Sequence, residues 1–113
     1  MKKINTLLEK YDYFKGAQLR HIEQLSDSSK IVTLVTQDDD GEDISTIKLT
    51  FSNINDSKIL VNSVLSFLDM MSGITLIKEN SLYGFALGKG TAMLHVHASP
   101  LYIVASDITI EEI

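Results

Sequence analysis

The segment KIVTLVTQDDDGEDISTIKLTF, residues 30 to 51, decides the fold. Both ends of the segment are rich in β-branched residues and alternate in polarity, which is typical of half-buried strands. The QDDDGED stretch between them, residues 37 to 43, contains Asp40-Gly41, a pair that tolerates the positive φ of a type I′ turn or a bulged loop. The segment therefore predicts a β-hairpin with an acidic tip.

The net negative charge of the chain is concentrated in the acidic tip. Five of the 15 acidic residues lie there, and the other ten balance the ten lysines and arginines, so the net charge of −5 belongs to the tip. The absence of a basic stripe argues against nucleic-acid binding. The tip is either a solvated turn or a surface for a protein partner. The candidate partner-binding residues are Asp38, Asp39, Asp40, Glu42 and Asp43.

A calcium loop of the EF-hand type does not fit the tip. With Gly41 at the sixth loop position, Asp38 and Asp40 fall on ligand positions, but Ile47 stands where a bidentate carboxylate is required. The flanking segments have strand patterns instead of helical ones. A weak ion site is the remaining cation hypothesis, and we predict no cofactor.

The composition indicates one folded α+β domain spanning residues 1–113. A hydrophobic fraction of 44% and a charged fraction of 22% are ordinary for a globular chain. The absence of cysteine excludes disulfides, thiolate metal sites and a cysteine nucleophile, and it fits a reducing compartment. Since no run approaches the roughly 20 apolar residues of a membrane span, we expect a soluble, cytoplasmic protein without membrane contact.

The remaining pattern predicts two helices and further strands. Apolar residues at helical spacing predict an N-terminal helix over residues 3–11. The segment 55–73 predicts a well-buried middle helix ending at Gly73, and its first part KILV, residues 58 to 61, is also compatible with a strand edge followed by Asn62 or Ser63 as N-cap. Residues 17–25 predict a strand in which either a bulge near Arg20–His21 or a helical turn accounts for the break in alternation. Later strands are predicted at 74–79, 82–88, 92–98, 101–106 and 107–113. Short connections then imply an antiparallel twisted sheet or open sandwich of seven or eight short strands.

Histidines provide the second candidate site. In a strand at LHVHAS, residues 94 to 99, His95 and His97 point to one face, and His21 is the third histidine in the chain. Three histidines suffice for zinc, although an HxH pair more often marks a solvated strand face. Tyr83 with His95 and His97 defines an alternative function, a ligand-binding or hydrolytic domain with a Tyr/His-lined cleft.

Sequence motifs for catalysis are lacking. There is no G-x-S-x-G elbow, and GKGT, residues 88 to 91, lacks the earlier glycine of a phosphate loop and is typical of a β-turn. We therefore expect a non-enzymatic binding or assembly domain that uses the acidic tip or a sheet face. Exposed sheet edges are compatible with a homodimer. The order of elements loosely resembles that of small bacterial proteins, including immunity proteins that block a toxin, which implies toxin neutralisation as a third alternative.

Overall fold

The computed structural model describes residues 2–65, 68, 70–88, 90 and 92–113, with the side chain of residue 2 left aside. Within these residues, three short α-helices, one 3-10 turn and six strands follow one another. In order, they are α1 (Lys2–Lys10), the 3-10 turn (Asp12–Phe14), β1 (Gln18–Ser26), β2 (Ser29–Gln37), β3 (Asp43–Lys58), α2 (Asn62–Leu65), β4 (Ile74–Glu79), β5 (Leu82–Leu87), α3 (Met93–Ala98) and β6 (Tyr102–Glu112).

The strands form one antiparallel sheet in the order β1-β2-β3-β6-β5-β4. The predicted hairpin is confirmed, with Leu34 opposite Ile47 and Val32 opposite Leu49. The sheet consists of two three-stranded meanders joined by β3 and β6, and the 16-residue β3 is long because it pairs on both sides. The α+β class and the antiparallel sheet of the sequence prediction are thus confirmed.

One face of the sheet, here called the front face, carries the main core. Strand alternation places Leu34, Leu49 and Phe51 on this face, where all three are fully buried. The rings of Phe51 and Phe85 lie 5.7 Å apart and join the two meanders. The helix α1, the 3-10 turn and α2 cover this face, as the periodicity of α1 predicts.

The opposite face, called the back face, is only half covered. The helix α3 lies across β4, β5 and β6 and buries Ala86, Val96 and Val104 in a small second cluster. Gly84 permits this approach, because a Cβ there would be only 2.8 Å from the sulfur of Met93 and 3.0 Å from Val96. Among the described residues, no helix packs extensively on the back face of β2, and α3 meets β3 near its C-terminal end, where His97 lies 3.6 Å from Asp56.

The strand count is six and not seven or eight, for two reasons. Residues 93–98 form α3, because Met93 and Val96, three positions apart, both pack on Gly84 and favour the helical period over the alternation that we predicted. The two predicted strands 101–106 and 107–113 are one strand, because β3 supports β6 across Asp107 without a break in the chain.

The predicted middle helix is also wrong in most of its length. The strand β3 continues to Lys58 since pairing with β6 outweighs the local helical pattern, and α2 has only four residues. Three apolar residues of the face predicted to be buried are exposed, Val61 at 68%, Val64 at 37% and Met71 at 72%, whereas Leu65 and Met70 are buried. Ser66, Phe67 and Asp69 of that prediction lie outside the described residues.

Several local predictions are confirmed. The register of β1 shifts between Leu19 and His21, which is the predicted bulge. Gly73 has a φ of +74° as a left-handed position requires, although the short α2 does not reach it. Of the predicted GKGT turn, Lys89 and Thr91 lie outside the described residues. No helix in the described part of the chain has the length and apolar character needed to cross a membrane.

Candidate functional site

The acidic tip is a bulged loop held by one of its own carboxylates. Asp38 pairs through its backbone with Glu42 at 3.0 Å and Gly41 at 3.1 Å, and its Oδ1 accepts from the backbone N–H groups of Asp40 and Glu42, both at 2.9 Å. Gly41 and not Asp40 has the positive φ, +82°, so the loop is the bulged form and not a type I′ turn. Asp38 therefore stabilises the loop from within.

Asp43 is neutralised at the base of the tip. Its carboxylate lies 3.2 and 3.4 Å from the two terminal nitrogens of Arg20, and its Oδ1 accepts from Gln37 Nε2 at 2.8 Å. The Gln37 amide and the Arg20 guanidinium hold the pKa of Asp43 below its ordinary value. Arg20 occupies the bulge of β1, and the charge of this acid is compensated within the chain. Sequence reasoning located the bulge but not this partner.

The outward charge of the tip is therefore carried by Asp39, Asp40 and Glu42. All three are exposed, and their carboxylates form no hydrogen bond or ion pair with any residue that the structure describes. Only these three of the five predicted partner-binding acids present an uncompensated carboxylate that the loop itself does not use.

The uncovered part of the back face runs directly into this tip. We call it the open face: the back-face residues of β2, β3 and the C-terminal half of β6. Cross-strand pairs align its side chains, and Lys48 lies opposite Glu111. The members of the open face are Ile31, Thr33, Val35, Thr46, Lys48, Thr50, Thr109 and Glu111, and Val35 alone among them is buried.

Two exposed isoleucines lie where the open face meets the tip. Ile44 is 63% exposed and Ile113 is 67% exposed. Ile113 donates its N–H to the carbonyl of Thr46 at 2.8 Å, which places it beside the first residues of β3. Ile44 lies between Asp43 and Ser45, at the shift in register between β2 and β3 next to the tip. Sequence reasoning missed this pair, whose only signal was two apolar residues at otherwise polar positions.

The structure does not place His95 and His97 on one face, as the predicted strand would have done. On the helix α3, His95 and His97 are about 200° apart around the axis and point in different directions. His21 lies on β1 opposite Thr33. Among the described residues, no group of three or more His, Cys, Asp or Glu side chains is placed to hold a metal ion.

Tyr83 lies on the other side of the sheet from the two helical histidines. It packs against the front-face core and lines a cavity with Ile4 and Ile108, whereas α3 covers the back face. The structure therefore does not bring Tyr83, His95 and His97 into one cleft.

A small polar cluster joins α3 to the sheet instead. Tyr102 donates its hydroxyl to Asp56 Oδ2 at 3.0 Å, and His97 Nδ1 lies 3.6 Å from the same oxygen. The hydrogen bond to Asp56, aided by desolvation, raises the pKa of Tyr102. The side chains of His97 and Asp56 are both about half exposed.

The chain matches no family model, no curated protein and no solved structure. Its function is therefore inferred from the geometry of these surfaces.

Proposed function

We propose that this chain is a small non-enzymatic protein-binding domain that contacts its partner through the open face and the acidic tip. One observation carries the proposal: α3 covers only half of the back face, and the uncovered half ends in two exposed isoleucines beside three free carboxylates. Contiguous exposed apolar side chains with a polar rim are typical of protein-interaction surfaces. The cytoplasmic location expected from the cysteine-free sequence is part of the same proposal.

The charged and apolar side chains of this surface indicate what kind of partner it would bind. Asp39, Asp40 and Glu42 favour a basic region on the partner, while Ile44 and Ile113 favour an apolar patch next to it. Charges at the rim mainly raise the association rate, and buried apolar contacts mainly slow dissociation. We therefore expect association to weaken with added salt while a salt-resistant part remains. A homodimer through this face is the case in which the partner is a second copy.

The hydrolytic alternative has less support. It required Tyr83 near His95 and His97, and these residues are on opposite faces of the sheet. The Asp56–His97–Tyr102 cluster does not replace that cleft, because it is open to solvent.

Affinity capture from the native cell with matched variants tests the proposal. Asp39→Lys with Asp40→Lys changes the tip, Ile44→Ser changes the apolar patch, and Asp27→Lys is the control, an exposed acid in the turn at the opposite end of β2. We expect at least one protein to be captured by the unmodified chain and the control and about tenfold less by the other variants. Identical capture by all four would contradict the proposal, and sedimentation of the purified chain shows whether the partner is a second copy.

A further inference from the structure

A groove on the front face lies between α1 and the C-terminal half of β6, where two cavities of about 310 Å³ each share Lys3 and Ile110. A third cavity of about 250 Å³ shares Lys10 with the first and extends the groove past the end of α1 to Lys15, against the end of β2. The groove exists because β5 pairs with β6 only as far as Ala105, so the rest of β6 extends beyond its neighbour. It lies on the opposite face from the open face.

The groove combines an apolar floor with a cationic rim. Leu7, Ile108 and Ile110 contribute the floor, and all three belong to the core cluster or pack against it. Lys3, Lys10 and Lys15 contribute the rim, and all three are exposed. This local positive charge stands out in a chain whose net charge is −5.

A single carboxylate opposes the rim among the residues that line these three cavities. Glu112 Oε2 lies 3.0 Å from Lys10 Nζ and joins the end of β6 to the last turn of α1. This contact raises the pKa of Lys10, chiefly through the hydrogen bond to Glu112. With Glu112 engaged by Lys10, two lysines of the rim remain uncompensated by a lining acid.

We propose that this groove binds an acidic peptide segment of a partner protein, with apolar side chains on the floor and carboxylates on the lysine rim. Charge complementarity selects an acidic occupant, because a basic one would face three ammonium groups. The nine-residue α1 is about 13 Å long, which matches about four residues of extended peptide. An extended segment there follows the track that β5 leaves open beside β6.

The proposal makes Glu112 a competitor of the ligand. A carboxylate of the bound peptide takes the place of Glu112 at Lys10, so removing the charge of Glu112 strengthens peptide binding. Removing the charge of Lys3 and Lys15 weakens it. A merely structural role of Glu112 does not predict tighter binding on its loss.

Fluorescence anisotropy with a labelled peptide of alternating glutamate and leucine tests the inference, with an alternating lysine and leucine peptide as the probe control. We expect about tenfold weaker binding for Lys3→Gln with Lys15→Gln and severalfold tighter binding for Glu112→Gln. Lys58→Gln, an exposed lysine outside the groove, leaves the affinity unchanged. Circular dichroism confirms that each variant is folded.

Three results would overturn the inference: no binding of the acidic peptide below about 1 mM, equal binding of the basic peptide, or no response to the lysine and Glu112 substitutions. Self-association of the unmodified chain that Lys3→Gln with Lys15→Gln dissolves would also overturn it, since a second copy would then occupy the groove. The tip variant Asp39→Lys with Asp40→Lys retains peptide binding, which separates this inference from the proposed function.

Discussion

Asn62 joins α2 to the free edge of β1 through two hydrogen bonds. The loss of stability on removing the Asn62 side chain can be worked out from these two bonds. Its Oδ1 accepts from the backbone N–H of Ile22 at 2.9 Å, and its Nδ2 donates to the carbonyl of the same residue at 3.1 Å. The side chain thereby takes the place of a neighbouring strand. Edge strands with unpaired backbone groups are prone to pair with other chains, so this contact also protects the sheet.

Asn62→Ala removes both hydrogen bonds. Each contributes about 0.5–1.5 kcal/mol net, so we expect the free energy of unfolding to fall by about 1–3 kcal/mol. The contacts are only partly buried, and water will satisfy some of the lost bonding, which favours the lower half of this range. For a chain of this size, a loss of 1 kcal/mol lowers the melting temperature by about 4 °C.

Urea unfolding of Asn62→Ala measures the change, and amide hydrogen exchange locates it. The amide of Ile22 should exchange faster, because its acceptor is gone. Ser63→Ala is the matched control, since Ser63 is the adjacent exposed residue of α2 and its hydroxyl forms no hydrogen bond to another described residue. A free energy of unfolding within about 0.3 kcal/mol of the unmodified chain, with unchanged exchange at Ile22, would refute the edge contact.

Two further predictions concern single positions. Gly73→Ala and Gly41→Ala each place an alanine in the left-handed region, which costs about 1–2 kcal/mol. A Cβ at Gly73 also overlaps the carbonyl oxygen of Tyr13, whereas a Cβ at Gly41 meets open space. Thermal unfolding should therefore show a larger loss of stability for Gly73→Ala than for Gly41→Ala, and equal losses would contradict this packing. Asp56→Asn should lower the pKa of Tyr102, measured by ultraviolet absorbance. Because folding raises the pKa of Tyr102, this contact contributes its whole stabilisation below about pH 10, and the stabilisation is lost as the pH rises through the pKa of Tyr102 in the folded chain. An unchanged titration of Tyr102 in Asp56→Asn would count against the hydrogen bond.

The part of the fold that can be predicted from the sequence is the part that local sequence patterns determine. Residues 30–51 contain two runs rich in β-branched residues and carry their own turn chemistry, so their hairpin needs no distant contact to be recognised. Residues 55–58 were assigned to the middle helix because their strand character depends on pairing with β6, more than 40 positions away. Residues 93–98 are too few for either period to dominate, and their helix depends on the space above Gly84.

The candidate site was predictable only as a location. The acidic tip follows from composition and turn residues, but the separate roles of its acids do not. Asp38 is occupied by the loop backbone, and Asp43 is occupied by Arg20 on another strand. The position of Ile113 beside the tip likewise depends on the register of β6 against β3.

Hydroxyl-radical footprinting of the chain in complex with its captured partner tests most directly whether the open face and the acidic tip form the binding surface. Ile44 and Ile113 report on that surface, and Leu94, 79% exposed on α3, reports on the covered half of the back face. We predict that labelling of the two isoleucines falls several-fold on binding while labelling of Leu94 does not change. Protection of Leu94 with unchanged labelling of Ile44 and Ile113 would contradict the proposed surface.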